Sequence, residues 1–338
     1  MAVKVEAPIK VEREVLARPS QTTDTAVMVS PDQFGFNSQT AATNIFQTRP
    51  EETGLSPQEV RDAALEEFNG MVKTLRDHGI TILVLPSPSR KDVVTPDAVF
   101  PNNWFSHHQN HQGGLLIWYP MLAPNRRAER QVGALRNLLT TAGIGTPGTL
   151  NLTSEEDSGR FLEGTGSLVL DRVHKVAFAM ESPRTSKDAL DDWCRRMGFE
   201  PVFFHAYDKN TVPFYHTNIV ITVGERFAVL CPESIKDEGE RDMLLRKFKE
   251  LDKELIPITL EQLYAFCGNI LQMQSKSGER KIILSTNAMG KLTSDQIARL
   301  EQHGELVPVN IPTIEKIGGG SARCMLAEIF RSRIKNAA

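Results

Sequence analysis

The feature that most limits how this 338-residue chain can fold is a recurring order of elements. Strand-like runs in pairs are followed by a helix, and the pattern returns roughly every 60 residues, about five times over. Ala26–Ser30 reads as a short strand. Ser56–His78 reads as a helix, with Val60, Leu65, Phe68, Met71, Val72 and Leu75 at helical spacing, Ser56 as the cap and Gly79 as the stop. Ile80–Pro86 follows as a buried strand, Gly114–Met121 as another, and Arg126–Ala142 as a helix closed by Gly143. Ser167–Asp171 and Lys175–Met180 read as a strand pair, followed by the helix Ser186–Met197 and the strand Glu200–His205. A second pair, Asn218–Val223 and Arg226–Cys231, precedes the helix Asp237–Leu251. Lys281–Leu284, Ser294–Gln302 and Leu306–Ile311 read as strand, helix and strand. The fold class is therefore α/β. No Pro/Gly/Ser-rich linker divides the chain, which predicts one domain over residues 25–338 behind a polar, poorly ordered arm at 1–24.

Composition removes several classes of function. Apolar content of 40% and charged content of 24% are those of a soluble globular protein. A net charge of −3 gives no general attraction to nucleic acid or to anionic membranes. No apolar run approaches the ~20 residues that span a bilayer, and the first residues lack the apolar centre of a signal peptide. A cytoplasmic protein with a small-molecule partner, and no nucleic-acid or membrane partner, is expected; a homodimer is compatible with this. Four cysteines, Cys194, Cys231, Cys267 and Cys324, form neither a CxxC pair nor an even ladder. Disulfides and a zinc ribbon are not expected.

Cys324 stands apart from the other three. It lies in Gly318-Gly-Gly-Ser-Ala-Arg-Cys324-Met325, where three residues without β-carbons lead into an apparent helix, Ser321–Arg331. Such glycines let a ligand approach the main chain, and a thiol at a helix N-terminus is favoured as thiolate. A glycine turn, a serine cap and a small buried cysteine account for the same residues. His216, in Phe214-Tyr-His-Thr-Asn218, precedes an apolar strand, where a side chain can face a cavity. Histidine is the acid/base suited to neutral pH and the usual partner of a cysteine nucleophile. Glu163, in Leu162-Glu-Gly-Thr-Gly-Ser167, is placed the same way, and its carboxylate suits the orientation of an imidazole; a solvated turn glutamate is the alternative.

Asp97 opens Asp97-Ala-Val-Phe-Pro-Asn102-Asn103-Trp-Phe105, a mixture of rings and amides that is costly to bury unless the amides bond something. Arg184, before a helix, suits bidentate capture of a carboxylate as well as it suits the surface. His107-His-Gln-Asn-His111 fits no metal-ligand spacing, and no metal or other cofactor is expected.

Taken in chain order, Asp97, Glu163, His216 and Cys324 resemble the guanidine-modifying (pentein) superfamily, which includes arginine deiminases, dimethylarginine dimethylaminohydrolases and amidinotransferases. The resemblance runs from about residue 26 to the end, through Pro96-Asp-Ala-Val-Phe100, Glu163-Gly-Thr-Gly166, Pro183-Arg-Thr-Ser186, His216-Thr-Asn218 and the glycine-rich run to Met325. It looks most like the amidinotransferase-like or citrulline-utilisation hydrolase branch. The resemblance implies a five-bladed α/β propeller of ββαβ units with a pseudo-fivefold axis and a central active site. It also implies that Cys324 attacks a guanidinium-type carbon, that His216 is general acid and base, that Glu163 holds His216, and that Asp97 meets substrate nitrogens.

Two departures from the family's patterns bear on the substrate. Asn218 stands where deiminases carry an acid, and Asn102 and Asn103 stand where dimethylarginine hydrolases carry acids. Amides suit a neutral ureido group, whereas a buried guanidinium needs carboxylates. The reading is therefore a metal-free hydrolase of a C–N bond in a ureido or guanidino amino acid, citrulline before arginine. An amidinotransferase and a non-catalytic binding protein of the same fold are the alternatives.

Overall fold

The structure, a computed structural model, describes residues 19–109, 114–145 and 148–330. These residues form five three-stranded sheets, and four of them follow directly from the chain order. They are β3 (Phe105–His108), β4 (Leu115–Trp118) and β5 (Gly148–Asn151); β6 (Leu168–Asp171), β7 (Val176–Met180) and β8 (Glu200–Phe204); β9 (Ile221–Val223), β10 (Phe227–Leu230) and β11 (Glu254–Pro257); and β12 (Leu271–Gln274), β13 (Arg280–Ser285) and β14 (Glu305–Val309). In each, the first two strands are antiparallel and the third returns parallel after a helix. That is the ββαβ unit that the resemblance implied and with which the repeat of strand pairs and helices agreed.

The fifth sheet is assembled from both halves of the chain. β1 (Thr25–Val29) pairs parallel with β2 (Thr81–Leu85) through the helix Pro57–Asp77, and its other edge takes β15 (Ala327–Glu328). The first strand of every unit lies at a sheet edge, and these edge strands meet: β15 touches β3, and β9 touches both β6 and β12. The five edges therefore face a common axis. Helices pack on the outside of the ring, each laying an apolar stripe on its own sheet.

The helix Pro57–Asp77 illustrates why the elements form. Ser56 and Glu59 cap each other's backbone, a Pro sits at the first turn, and Val60, Ala64, Phe68, Met71, Val72 and Leu75 are buried. Burial of a side chain such as Phe68 contributes roughly 1.5–3 kcal/mol. Leu65, assigned to the same stripe by its spacing, instead remains 37% exposed at the margin of the face.

Three further expectations are corrected. The helix expected over 126–142 is broken into a turn, Pro124–Arg127, and a helix, Val132–Thr141, with Arg126 buried against Glu129 and Asn103 at the first of them. The strand expected over 218–223 begins as a helical turn, Thr217–Val220, and only then becomes β9. The helix expected from Ser321 does not form: Cys324, Met325 and Leu326 donate to carbonyls three residues back, and the chain then enters β15. Pairing with β1 buries Leu326, Ala327, Ile329 and Phe330, and this outweighs local helix preference. Arg331 lies outside the described residues.

Residues 1–18 of the expected arm also lie outside the described residues, but its last residues are packed. The buried Gln21 amide donates to Leu170 O and Val223 O, joining two sheets, and Thr23 Oγ1 donates to Ile329 O. The same closure is made by Ile329 N donating to Thr25 O at 2.9 Å. Ile329 is fully buried, so Ile329→Ala should destabilise the whole domain by about 2–4 kcal/mol, measured by urea unfolding. A change below ~0.5 kcal/mol would show that the closing strand carries little of the stability.

Candidate active site

Asn102, Asn103, Glu163, His216 and Cys324 converge because each lies in the turn just before the first strand of a unit. Asn102 and Asn103 form the turn Pro101–Asn103 ahead of β3. Glu163 precedes the helical turn Gly164–Ser167 that leads into β6, and His216 precedes Thr217–Val220 ahead of β9. Cys324 ends the run of turns ahead of β15. Since the edge strands face one axis, so do the turns that feed them.

Two glycines make the close approach possible. Gly164 has φ +48°, and a β-carbon on it would lie 2.2 Å from the Asn102 carbonyl oxygen. A β-carbon on Gly166 would lie 2.4 Å from Asn103 Nδ2 and 2.7 Å from His216 Nδ1. Both glycines therefore let the Glu163 turn nest between the turns carrying the amides and the histidine.

Glu163 and His216 are both buried and joined by a 2.8 Å bond from Nε2 to Oε2. An ionised carboxylate only accepts, so Nε2 carries the hydrogen and Nδ1, beside Gly166, is the free acceptor nitrogen. The second Glu163 oxygen accepts from Leu122 N, and Arg184 and Arg126 stand 3.7 and 3.9 Å from the first. Burial works against ionisation of Glu163, yet Arg184, His216 and Arg126 together hold its carboxyl down to about 2. Burial lowers His216 to about 4, with Arg184 and Arg126 reinforcing it against the pull of Glu163. At neutral pH the pair is thus a carboxylate and a neutral imidazole, poised to take a proton through Nδ1.

Across from this pair, the sulfur of Cys324 lies 3.5 Å from Asn218 Nδ2 and 3.3 Å from Asn269 Nδ2. Amide donors are suited to a sulfur that develops negative charge. No hydrogen bond joins Cys324 to His216. Among the described residues, several buried polar atoms in this region have no partner: both side-chain atoms of Asn102, Nδ2 of Asn103, Oδ1 of Asn218 and Oδ1 of Asp97. Each such atom costs about 1–3 kcal/mol, which a bound polar ligand would offset.

The segment from Asn37 to Thr48 covers the site. Asn37 and Thr40 donate to Oδ2 of Asp97, at 2.8 and 3.0 Å. Asn44 donates to the carbonyls of Gly318 and Gly319, and Thr48 N donates to Lys316 O. The glycine run is therefore not open to a ligand, as its composition suggested. Phe100 lies against Gly318 and Gly320, Asn44 against Gly319, and Tyr215 donates to the Gly319 carbonyl.

Arg184 is also placed differently from a free carboxylate clamp. Its guanidinium donates to Thr40 O and Thr43 Oγ1 of the covering segment and lies 4.8 Å over the Tyr215 ring. The structure adds residues that sequence reading passed over: Asn269 at the sulfur, Arg126 with its Glu129 partner, and Asn37 and Thr40 on Asp97. Asn269 had a signal. Cys267-Gly-Asn269 stands ahead of β12 just as Glu163-Gly and His216-Thr stand ahead of theirs. Among the described residues, no cluster of three or more His, Cys, Asp or Glu side chains could hold a metal ion, and no helix is long and apolar enough to cross a membrane.

The family model described as N,N dimethylarginine dimethylhydrolase, eukaryotic, matches residues 30–331. The chain belongs to that family, within the arginine-modifying branch of the pentein superfamily. Among solved structures, it is similar to the N-terminal domain of ArgZ, an arginine dihydrolase from Cyanobacteria, at 14% identity over 91% of this chain and 98% of that one, with a TM-score of 0.68. It is similar to AgrE, in a complex with ornithine and NAD+, at 17% identity over 92% of this chain and 40% of that one, with a TM-score of 0.66. DDAH from Pseudomonas aeruginosa, a mutant complexed with citrulline, matches at 16% identity over 90% and 98% of the two chains, with a TM-score of 0.61. These likenesses establish the five-bladed fold. No curated protein matches the chain in sequence.

Gly166→Ala should leave the far-ultraviolet circular dichroism unchanged while displacing His216, with kcat/KM reduced at least ~10²-fold. Retention of more than half the activity would mean that the close approach is not required. The depressed histidine also predicts a pH dependence of stability. His216 is neutral when folded down to about pH 4, whereas its ordinary value is 6.5. The unfolded chain therefore binds the proton first as pH falls, and stability should drop between 6.5 and about 4. Urea unfolding of the wild type and of His216→Leu across that range should show the wild type losing more.

Proposed function

We propose that this chain is a cysteine-dependent hydrolase that cleaves a C–N bond of a ureido amino acid, with citrulline preferred to arginine. The observation that carries this reading is the buried group of Cys324, with its two amide neighbours, opposite the Glu163–His216 pair. A family in which DDAH has been captured with citrulline and ArgZ covalently bound to a reaction intermediate supports it.

The chemistry follows from the placement of the groups. Substrate enters between sulfur and imidazole, and the Cys324 proton passes to His216 Nδ1 as the sulfur bonds to the ureido carbon. The C–N bond then breaks, and the imidazolium returns its proton to the departing nitrogen. Water deprotonated by His216 attacks the same carbon, the C–S bond breaks, and the thiol is restored. Glu163 keeps the ring oriented and stabilises the imidazolium when it forms. Asn218 and Asn269 face the sulfur, while Asn102, Asn103 and the open oxygen of Asp97 are the groups left to receive the substrate. Arg184 acts through Glu163.

Charge favours a neutral substrate. Asp97 and Glu163 are matched by Arg126 and Arg184. Burial pushes Glu129, bonded to Arg126 at 2.9 and 3.0 Å, up to about 7. A permanently cationic guanidinium would find only a partial extra negative charge at neutral pH, and a buried charge without a full partner is costly. Transfer of an amidino group to an amine is the second reading, since the same cysteine chemistry serves it when an amine replaces water.

Incubation of the enzyme separately with citrulline, arginine and dimethylarginine, with and without glycine as acceptor, should release ornithine and ammonia from citrulline with the highest kcat/KM and no acceptor dependence. Faster turnover of arginine would overturn the substrate preference, and a glycine adduct would establish the transferase. Cys324→Ala should abolish turnover, by at least ~10⁴-fold. Asn218→Asp adds a carboxylate beside the sulfur and should shift the kcat/KM ratio toward arginine by at least ~10-fold.

A further inference from the structure

We propose that a small cavity beneath the catalytic turns, walled by Arg172, Arg323 and Glu328, is a binding site for one monatomic anion, chloride under ordinary conditions. The cavity measures about 30 Å³ and is also lined by Gln21, Thr222 and Gln272. It lies among the edge strands β6, β9 and β12 and the segment leading into β15. This is a different place from the reacting groups. Arg323 faces the cavity while the next residue, Cys324, bonds Asn218 and Asn269.

The argument is a charge count in a buried place. Arg172, Arg323 and Glu328 are all buried. Arg323 Nη2 donates to Glu328 Oε2 at 3.0 Å and Nη1 to Leu326 O at 3.1 Å. Arg172 approaches the same Glu328 oxygen only to 3.7 Å. Its remaining contacts are neutral: His108 Nδ1 at 3.2 Å and the Phe330 ring at 4.1 Å. An arginine only donates, so that histidine nitrogen is an unprotonated acceptor, and burial and Arg172 keep His108 and His107 uncharged. The nearby acids are engaged elsewhere, Asp171 with Lys253 at 3.0 Å and Glu225 with Arg280. Half-buried Lys175 adds to the positive side of the count.

Two guanidinium groups therefore share one carboxylate around a narrow, partly open pocket, and among the described residues one positive charge has no carboxylate of its own. Uncompensated buried charge is unfavourable enough that a counter-ion is expected. The volume sets its size. It is about two to three times the ~10–15 Å³ that one water-sized probe occupies, which suits a halide better than phosphate or a carboxylate metabolite.

The test separates a bound halide from water and general salt effects, and it does not depend on turnover. Thermal unfolding of the full chain would be followed in sodium chloride, sodium bromide and sodium gluconate at equal ionic strength. Chloride and bromide should raise Tm saturably, by about 2 °C or more, and gluconate, too large for the cavity, should not. Arg172→Met removes the unpaired charge and should abolish the difference between chloride and gluconate. If that variant does not fold, crystals of the wild type grown in sodium bromide should show an anomalous bromine peak between Arg172 and Arg323. Equal Tm in chloride and gluconate would overturn the proposal, as would the absence of a bromide peak.

Discussion

The pairing of β15 with β1 is the constraint on which the rest of this molecule depends. A five-unit ring of separate sheets has no continuous backbone ladder to close it. Here the closure is a short antiparallel contact, Ala26 opposite Glu328 and Val27 opposite Ala327, extended by the Ile329 and Thr23 bonds. Phe330 N donates onward to His107 Nδ1 in the next sheet. Moving β15 by one residue would turn its side chains to the opposite face. That shift would carry Glu328 away from the two arginines it joins and would displace Cys324, three residues before the strand. The position of Cys324 is a consequence of strand register.

Electrostatics then decides what that geometry can do. Buried carboxylates and arginines are interleaved, with Arg126 reaching Glu129, Asp97 and Asn103 and standing near Glu163. Each ionised group has a partner, so the region tolerates charge without solvent. The unpartnered atoms are mostly amide atoms. A site built this way discriminates by matching hydrogen-bond donors and acceptors rather than by raw charge. Its selectivity accordingly rests on which buried amide atoms a ligand satisfies.

Much of this was legible in the chain. Helical spacing with Ser56 and Gly79 at the ends located the first helix, and the alternation of strand pairs and helices agreed with the ββαβ unit that the family resemblance implied. The residues ahead of the edge strands stood out because polar or nucleophilic groups interrupt otherwise apolar runs. What escaped were features fixed by distant contacts. Ser321–Phe330 has helix-compatible residues, yet it makes turns up to Leu326 and then a short strand whose partner β1 lies some three hundred residues away. Arg126 is buried against Glu129 and Asn103 where periodicity predicts a continuous helix, a contact that periodicity cannot register. The covering segment carries no chemistry of its own, and Asn37 and Thr40 gain meaning only once Asp97 is beneath them. Asn269 was readable in principle, since it repeats the placement of Glu163 and His216 in another unit.

The same closure imposes a timetable on the chain during synthesis. The two strands that complete the first sheet are separated by about 300 residues, one of the longest separations a chain of this length allows, and such pairings form late. At about 5–20 residues per second, β1 spends roughly 15–60 s with one edge unpaired while the remaining units emerge. An open strand edge is a template for pairing with another chain. The hazard ends with the arrival of the segment that also brings Cys324, so the site gains its thiol only as the ring gains the strand that protects it.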